Sequence, residues 1–166
     1  MAASYIVYGS PGSGSVPMEA ALTLIGQPYE IIGETALREV AQNPEVFAVN
    51  PLGQVPALVV PIGEIMTESR DPGLACRPLP RGTIGPTYVT QEATGLSCWM
   101  TYVSAEIYGL AWVRGDPMRI VSDERQSAVV LQRIADRRAH CWHLMDEQIE
   151  PAKYLLGDEI GVLDLY

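Results

Sequence analysis

Short apolar segments, separated by glycine, proline and serine, make up the first 65 residues of the chain. The segment SYIVY at residues 4–8 is rich in β-branched and aromatic residues and predicts a strand, and the turn-forming GSPGSGS follows it. The next segment, VPMEAALTLIGQ, predicts a helix that ends at Gly26. Its buried face is expected to carry Val16, Ala20 and Leu24, with Ala21 beside them.

The rest of this half continues the alternation of strands and helices. PYEIIG predicts a second strand, and ETALREVAQNPEVFAVN predicts a weaker helix that is interrupted near Pro44. NPLGQVPALVV predicts a turn leading into a buried strand, and GEIMTES predicts a last short strand after a turn at Gly63. The predicted order is therefore βαβαββ, which indicates an α/β domain.

After residue 98 the apolar pattern is helical only. WMTYVSAEIYGLAWV predicts a helix that ends at Gly115, Asp116 and Pro117. Its expected buried positions recur every three or four residues: Tyr102, Ala105 or Glu106, Gly109 and Val113. A longer helix is expected to begin near Ser122, whose hydroxyl can cap free N–H groups. The expected buried stripe of that helix is Ala128, Leu131, Ile134 or Ala135, Cys141 or Trp142, Met145 and Ile149.

Residues 70–97 show neither the strand period nor the helical period. Pro72, Gly73, Pro78 and Pro80 interrupt any regular element there. We therefore expect an α/β domain over residues 1–69, an irregular region over 70–97 and an all-helical domain over 98–166.

Composition and charge exclude several classes of function. The chain has 20 acidic and 11 basic side chains, and the resulting charge of −9 would repel a nucleic-acid backbone or an anionic membrane. No apolar run is long enough to cross a bilayer and the first residues do not resemble a signal peptide, so a cytoplasmic location is expected. The cysteines and the two histidines lack ligand spacing, and no metal site is predicted.

The motif NPLGQVPAL at residues 50–58 is the first of three that resemble the glutathione transferase family, in which a thioredoxin-like domain precedes an all-helical domain. The family has a cis proline at this point, and X-Pro bonds are the ones with an accessible cis form. The resemblance implies that Pro56 is cis and that the Val55 backbone, next to Gln54, pairs with the cysteinyl part of glutathione. An ordinary turn before a strand is the alternative interpretation.

The second motif is Glu68-Ser69. The resemblance implies that the Ser69 hydroxyl and N–H bind the γ-glutamyl carboxylate at a helix N-terminus, where free N–H groups favour an anion. It also implies that Glu68 meets the ammonium group of glutathione.

The third motif is YLLGDEIGVLDLY at residues 154–166. It is similar to a late family motif in which a capped helix start is followed by an aspartate three residues later. Here Gly161 occupies the cap position and Asp164 is its capping-box partner, so the cap lacks a side-chain oxygen. The chain ends soon after Asp164, and the resemblance implies that the core helix that this motif opens is missing, together with any helices beyond it.

The resemblance also implies a catalytic hydroxyl between the first strand and the first helix. In GSPGSGS the candidates are Ser13, which we favour, then Ser15 and Ser10. Such a hydroxyl stabilises the glutathione thiolate, which is the nucleophile. The alternative is that these serines are only turn and cap residues.

The function implied is transfer of glutathione, as co-substrate, to a hydrophobic electrophile, with no other cofactor. The electrophile would bind against Tyr102, Tyr108 and Trp112, and the family suggests a homodimer. A glutathione-binding or structural module without catalysis is the competing expectation. Thiol-disulfide exchange is disfavoured because no cysteine precedes Cys76.

Residues 70 to about 98 depart from the family pattern, which has a helix after Ser69. Codons can be chosen for residues 70–83 such that the same bases, read from the second base onward, encode an amphipathic helix that ends before a proline. We therefore hypothesise that this segment comes from a shifted reading frame, which the nucleotide sequence would test.

Overall fold

The computed structural model describes residues 4–33, 43–67 and 91–166. Within these ranges the chain has an α/β half followed by a helical half, and the two pack against each other along one helix. The second part of the predicted interrupted helix is described, whereas residues 34–42, which hold its first part, lie outside the described ranges. Most of the segment assigned to a shifted frame, residues 70–90, also lies outside them.

One mixed sheet organises the first half. Its strands are β1 (Tyr5–Tyr8), β2 (Tyr29–Ile32), β3 (Ala57–Val59) and β4 (Ile65–Thr67). Their order in the sheet is β2-β1-β3-β4, with β2 parallel to β1, and β3 and β4 each antiparallel to its neighbour. All four predicted strands are confirmed, and the architecture is that of a thioredoxin-like domain.

Helix α1 (Val16–Leu24) covers the sheet, but with a different face from the one predicted. Met18 and Leu22 are buried in a cluster with strand residues, whereas Val16 and Leu24 are 46% and 54% exposed. Ala21 is buried on another side, against the helical half. The predicted face was wrong because α1 packs between two layers, which places adjacent residues of the helix in two different cores.

Helix α2 (Pro44–Val49) starts where the sequence predicted an interruption. The Asn43 side chain accepts a hydrogen bond from the Glu45 N–H at 2.8 Å, and Pro44 occupies a first-turn position where its missing N–H costs nothing. Val46 is the buried residue of this short helix.

The helical half begins with one long helical segment. It consists of α3 (Gln91–Tyr102), a π-helical turn (Val103–Tyr108) and α4 (Gly109–Gly115). Residues 91–97 are therefore helical rather than irregular as expected. The predicted end at Gly115 is confirmed, and a 3₁₀ turn (Pro117–Arg119) follows.

The buried face of this segment lies one residue beyond the predicted one. Val103 and Ile107 are fully buried, whereas Ala105 and Gly109, which were expected inside, are exposed. Burying a branched aliphatic side chain stabilises a fold more than burying alanine or glycine. The packing therefore follows the large aliphatic residues.

Helix α5 (Glu124–Gln148) is capped by Asp123 rather than by Ser122. The Asp123 carboxylate accepts a hydrogen bond from the Arg125 N–H at 2.9 Å. Of the predicted stripe, the buried members are Ile134, Cys141, Met145 and Ile149. The remaining members, Ala128, Leu131, Ala135 and Trp142, are exposed, because the helical core covers mainly the C-terminal part of α5.

A final 3₁₀ turn (Val162–Leu165) closes the contact between the two halves. Val162 and Leu163 are buried in the helical core together with Ala21 of α1. Gly161 stands at the cap position, and the Asp164 carboxylate accepts hydrogen bonds from the N–H groups of Gly161 at 2.7 Å and Leu155 at 2.8 Å. The predicted capping role of Asp164 is confirmed.

Candidate functional site

The sheet register brings two of the predicted segments, and the strand that precedes the third in the sequence, to the same end of the sheet. Tyr8, the last residue of β1, lies opposite Ala57, the first residue of β3, and Ala57 in turn lies opposite Thr67, the last residue of β4. The loop of residues 9–15 therefore begins beside the chain that enters β3. Glu68 and Ser69 follow Thr67 in the sequence but lie outside the described residues.

The chain entering β3 has the backbone geometry expected from the first motif. The Val55–Pro56 peptide bond is cis. The Val55 backbone forms no hydrogen bond with another described residue. Gln54 is exposed, while Val55 and Pro56 are partly buried.

Asn50 holds this segment in place, and sequence reasoning did not single it out. Asn50 is buried, with 3% of the residue exposed. The Asn50 amide donates to the Gln54 carbonyl at 2.8 Å, and its carbonyl oxygen accepts from the Leu52 N–H at 3.1 Å. The asparagine directly before Pro-Leu-Gly was the signal, because asparagine side chains commonly hydrogen-bond turn backbone.

The three candidate serines lie in one hydrogen-bonded loop. The Ser13 Oγ accepts hydrogen bonds from the N–H groups of Ser10 at 3.1 Å and Ser15 at 3.2 Å. Ser13 and Ser15 share a hydroxyl–hydroxyl hydrogen bond of 2.9 Å. The Ser15 hydroxyl donates to Glu19 Oε1 at 2.7 Å. Glu19 was not predicted as part of this cluster.

The carboxylate fixes the direction of the hydroxyl hydrogens. A serine has one O–H, and a carboxylate only accepts. Because Ser15 donates to Glu19, the shared bond must be donated by Ser13 to Ser15. The chain of donors therefore runs from Ser13 through Ser15 to Glu19.

The three serines differ in access to solvent. Ser15 is fully buried and Ser10 is 3% exposed, with an Oγ that has no hydrogen-bond partner. Ser13 is partly exposed. Of the three hydroxyls, that of Ser13 is the one that a ligand can reach without opening the loop.

Gly9 makes room for this cluster. A Cβ at Gly9 would lie 2.3 Å from Ser15 Oγ and 3.5 Å from Glu19 Oε1. Only a residue without a side chain allows Ser15 and Glu19 to approach the end of β1 in this way.

The predicted electrophile-binding residues contact three different elements. The Tyr102 hydroxyl donates to the Cys141 carbonyl of α5 at 3.1 Å, and the Tyr108 hydroxyl donates to the Tyr166 carbonyl at 3.3 Å. The Trp112 ring lies under the Arg119 guanidinium at 4.8 Å. Tyr108 and Trp112 are 38% and 46% exposed and stand one helical turn apart, whereas Tyr102 is part of the packing.

The surroundings of Tyr102 favour the protonated form of its hydroxyl, which can donate a hydrogen bond. Burial raises the pKa of Tyr102, and the hydrogen bond and charge interaction with Cys141 add to the effect. Arg137 and Glu106 form an ion pair nearby, and the hydrogen bond to Glu106 raises the pKa of Arg137. The ion pair between Glu106 and Arg137 ties the π-helical turn to α5, and the Tyr102 hydrogen bond ties the end of α3 to the same helix.

Replacing Tyr102 with phenylalanine is expected to lower the free energy of unfolding by about 1 kcal/mol, because the hydrogen bond to α5 is lost while the ring stays. Urea unfolding followed by circular dichroism measures the change. The partly exposed Tyr154, on the turn before residue 157, supplies the same substitution away from α5 as a control. Equal stability of the Tyr102→Phe variant and the parent would show that this hydroxyl contributes nothing.

The described residues contain no cluster of histidine, cysteine, aspartate or glutamate that could hold a metal ion. His143 lies 3.2 Å from Glu147 on the exposed side of α5. Within the described ranges, none of the helices is both long and apolar enough to cross a membrane.

Comparison with known proteins gives one consistent family. Residues 18–71 match the model of the glutathione S-transferase N-terminal domain. The uncharacterized GST-like protein YncG of Escherichia coli (strain K12) is 26% identical over 162 residues, covering 96% of this chain and 77% of that protein.

Two solved structures illustrate the similarity of fold. A glutathione transferase homolog from Sulfitobacter, with bound glutathione, has a TM-score of 0.86 at 21% identity, covering 98% of this chain and 78% of its own. BphK, a bacterial GST in a ternary complex, has a TM-score of 0.77 at 26% identity, covering 96% of this chain and 78% of its own. The similarity therefore extends over both halves of the chain.

Proposed function

We propose that the chain, whose residues 18–71 match the glutathione S-transferase N-terminal domain, is a member of the glutathione transferase family. In this proposal it binds glutathione and transfers the thiolate sulfur to an electrophilic carbon of a hydrophobic compound. The observation that supports this most directly is that the serine loop after β1 and the Val55–Pro56 segment before β3 lie at the same end of the sheet.

The Val55 backbone is the proposed docking point for the peptide. Its N–H and C=O have no partner among the described residues, and an extended peptide can pair with such groups as an added strand. Glutathione bound this way has its cysteine beside the loop of residues 9–15. Glu68 and Ser69 are proposed to hold the γ-glutamyl end, and Gln54 lies next to Val55.

Ser13 is the proposed contact for the sulfur. Its hydroxyl is partly exposed, and two backbone N–H groups hold its oxygen in place. In the reaction the thiol loses its proton, the sulfur forms a bond to carbon, and the leaving group departs with the electron pair. Tyr108 and Trp112 offer an exposed aromatic surface for the electrophile.

A glutathione-binding module without catalysis is the second candidate, and one observation favours it. The hydroxyl protons of Ser13 and Ser15 are directed at internal acceptors, and the Ser10 hydroxyl is buried. Retention on immobilised glutathione without conjugation of a chromogenic electrophile would support this candidate.

The Ser13→Ala variant tests the transferase proposal. We expect its glutathione Kd, from calorimetry, to stay within about threefold of the parent while the conjugation rate falls about 10²-fold. The proposal requires the Ser13 O–H to turn from Ser15 to the thiolate, and removing one stabilising donor costs roughly that much. Ser127→Ala on α5 is the matched control. An unchanged rate in Ser13→Ala would remove Ser13 from the reaction, and absence of glutathione binding by the parent would overturn the proposal.

Assembly and location remain part of the proposal. We propose a homodimer, as the resemblance implies, and a location in the cytoplasm. The proposed division keeps an α/β domain over residues 1–69, but its helical domain begins at Gln91 rather than at residue 98, because residues 91–97 belong to α3.

A further inference from the structure

Three aromatic rings and an arginine form a row along α4. The Tyr108 ring packs edge-on against the Tyr166 ring, with the two ring centres 5.8 Å apart. Trp112 follows Tyr108 by one helical turn, and residues four apart are neighbours on a helix surface. The Arg119 guanidinium lies 4.8 Å from the centre of the Trp112 ring. The row therefore runs from Tyr166 through Tyr108 and Trp112 and ends in a positive charge.

The row is accessible from solvent along its length. Tyr108, Trp112 and Arg119 are exposed, and Tyr166 is partly exposed. Aromatic rings attract one another in offset-stacked or edge-to-face arrangements. The exposed rings therefore offer a surface on which a flat aromatic compound can lie, with a cation at one end of it.

Arg119 is held in place and still has hydrogen-bond donors to spare. Its Nη1 donates to the Trp112 carbonyl at 2.5 Å, and its Nε lies 3.9 Å from Asp116 Oδ2, which is beyond hydrogen-bond length. Asp116 already accepts a hydrogen bond from the Met118 N–H at 3.1 Å. A guanidinium has five N–H donors, and the others make no hydrogen bond within the described ranges. They can bind the oxygen atoms of an anionic ligand.

We infer that this row selects the electrophile: it takes flat aromatic compounds that carry a carboxylate, with the ring against Tyr108 and Trp112 and the carboxylate on Arg119. The inference rests on the proposed function, because it names the class of electrophile for that transfer. Arg119 is the specificity-determining residue, since an arginine can match a planar carboxylate with two parallel N–H donors. Sequence analysis did not single it out.

The charge of the rest of the chain makes this position selective. The net charge is −9, so most of the surface repels an anionic compound. A fixed cation beside exposed aromatic rings attracts the carboxylate and the ring of one compound together. A neutral aromatic compound gains only the contact with the rings.

The Tyr166 end of the row lies on the side of α1. Tyr166 packs against the helical core that contains Ala21 of α1. Ala21 is about 9 Å along the helix axis from Ser15, which stands at the N-cap of α1 in the serine loop. The Arg119 end lies further along the helical half. In the inferred orientation the reacting carbon is therefore at the Tyr166 end of the bound compound and the carboxylate at the other end.

Two electrophiles that differ in charge test the inference. 4-Chloro-3-nitrobenzoate carries a carboxylate, and 4-chloro-3-nitrobenzamide carries a neutral amide at the same ring position. In both, the thiolate sulfur forms a bond to the ring carbon, the carbon–chlorine bond breaks and chloride leaves with the electron pair. Each kcat/KM is divided by the uncatalysed rate constant with glutathione, because the two rings differ in reactivity. We expect the parent to prefer the carboxylate about fivefold, the upper range for an exposed ion pair.

Variants of Arg119 show whether its charge sets this preference. Arg119→Gln should abolish the preference, because glutamine can still donate to the Trp112 carbonyl but carries no charge. Arg119→Lys keeps the charge and should keep the preference. Arg114→Gln is the matched control, since it removes an exposed arginine of the same helix at a position that does not face the row. A merely structural role for Arg119 would change both rates alike and leave their ratio at the parental value.

Trp112→Leu tests the aromatic part of the row. It should lower the normalised kcat/KM of both electrophiles about fivefold, because the ring contact is lost. The ratio of the two values should stay at the parental level, since the backbone carbonyl that holds Arg119 remains. Unchanged values for both compounds would show that the row does not bind the ring.

The outcomes separate this inference from the proposed function. Equal normalised rates in the parent, or a carboxylate preference that survives Arg119→Gln, overturn the inference and leave glutathione transfer standing. If the parent conjugates neither compound, the proposed transfer fails, and calorimetry with the unreactive 4-methyl-3-nitrobenzoate and its amide decides the inference. Tighter binding of the carboxylate that Arg119→Gln removes would support the row as a binding site, whereas equal binding of the two compounds would overturn it as well.

Discussion

Gly33→Ala is expected to lower the free energy of unfolding by about 3 kcal/mol, the upper part of the range for a substitution that forces atoms into occupied space. A Cβ at this position would lie 1.7 Å from the Gly9 carbonyl oxygen and 2.8 Å from the Gly9 carbonyl carbon. Both are backbone atoms, so no rotation of a side chain relieves the clash. The strands themselves must separate.

The register explains why the backbones approach so closely. Tyr8 and Ile32 are the last paired residues of the parallel strands β1 and β2, and Gly9 and Gly33 follow them. The Gly9 N–H donates to the Ile32 carbonyl at 3.0 Å, which holds the next residue, Gly33, against Gly9.

Gly95→Ala is the matched control for the same chemical change. Nothing lies within 4 Å of a Cβ at Gly95 in α3. Alanine is favoured over glycine inside a helix, so this variant should gain about 0.5–1 kcal/mol. Urea unfolding of the two variants and the parent should give shifts of opposite sign. A Gly33→Ala variant as stable as the parent would contradict the close approach of the two strands.

Gly33→Ala should also weaken the proposed glutathione site, since Gly9 opens the loop that carries the serines. Calorimetry on the folded fraction of the variant measures this effect.

Asp164→Asn is expected to cost about 2–4 kcal/mol of stability, because each of two partly buried N–H groups loses a charged acceptor. One carboxylate oxygen accepts from Gly161 at 2.7 Å and the other from Leu155 at 2.8 Å. An asparagine retains one acceptor and turns an NH₂ group toward the second N–H. Two donors then face each other.

The position of Asp164 in the fold increases the effect. The 3₁₀ turn that it caps buries Val162 and Leu163 against Met145 and against Ala21 of α1. Loss of the cap therefore loosens the contact between the helical half and α1.

Thermal unfolding compares Asp164→Asn with Asp158→Asn, which changes an exposed aspartate in the same segment. The control should unfold at the parental temperature. A shift of equal size in both variants would show that the two hydrogen bonds of Asp164 contribute no stability of their own.

Much of the fold was predictable because its signals are local. Turn residues separate the strands, and alternating or continuous apolar residues identify them, so β1 to β4 were each predicted from a few neighbouring residues. The cis bond before Pro56 and the capping role of Asp164 were predicted from motifs whose geometry is contained within a few residues.

The buried faces were harder to predict because they depend on what covers each helix. In α1 the residues Met18 and Ala21 face different cores, and a single apolar stripe does not describe that arrangement. In α5 the expected Leu131 remains 39% exposed, since the helical core covers mainly the later turns.

The order of residues alone determined the strand sequence, the serine-containing turn and the proline-bearing segment, because turn chemistry and apolar periodicity act over short distances. Three-dimensional packing decided which serine is accessible, which hydroxyl donates to which, and that Glu19 joins them. Hydrogen-bond direction depends on an acceptor brought close by folding, here a carboxylate one helical turn away whose approach requires a glycine at the end of the first strand.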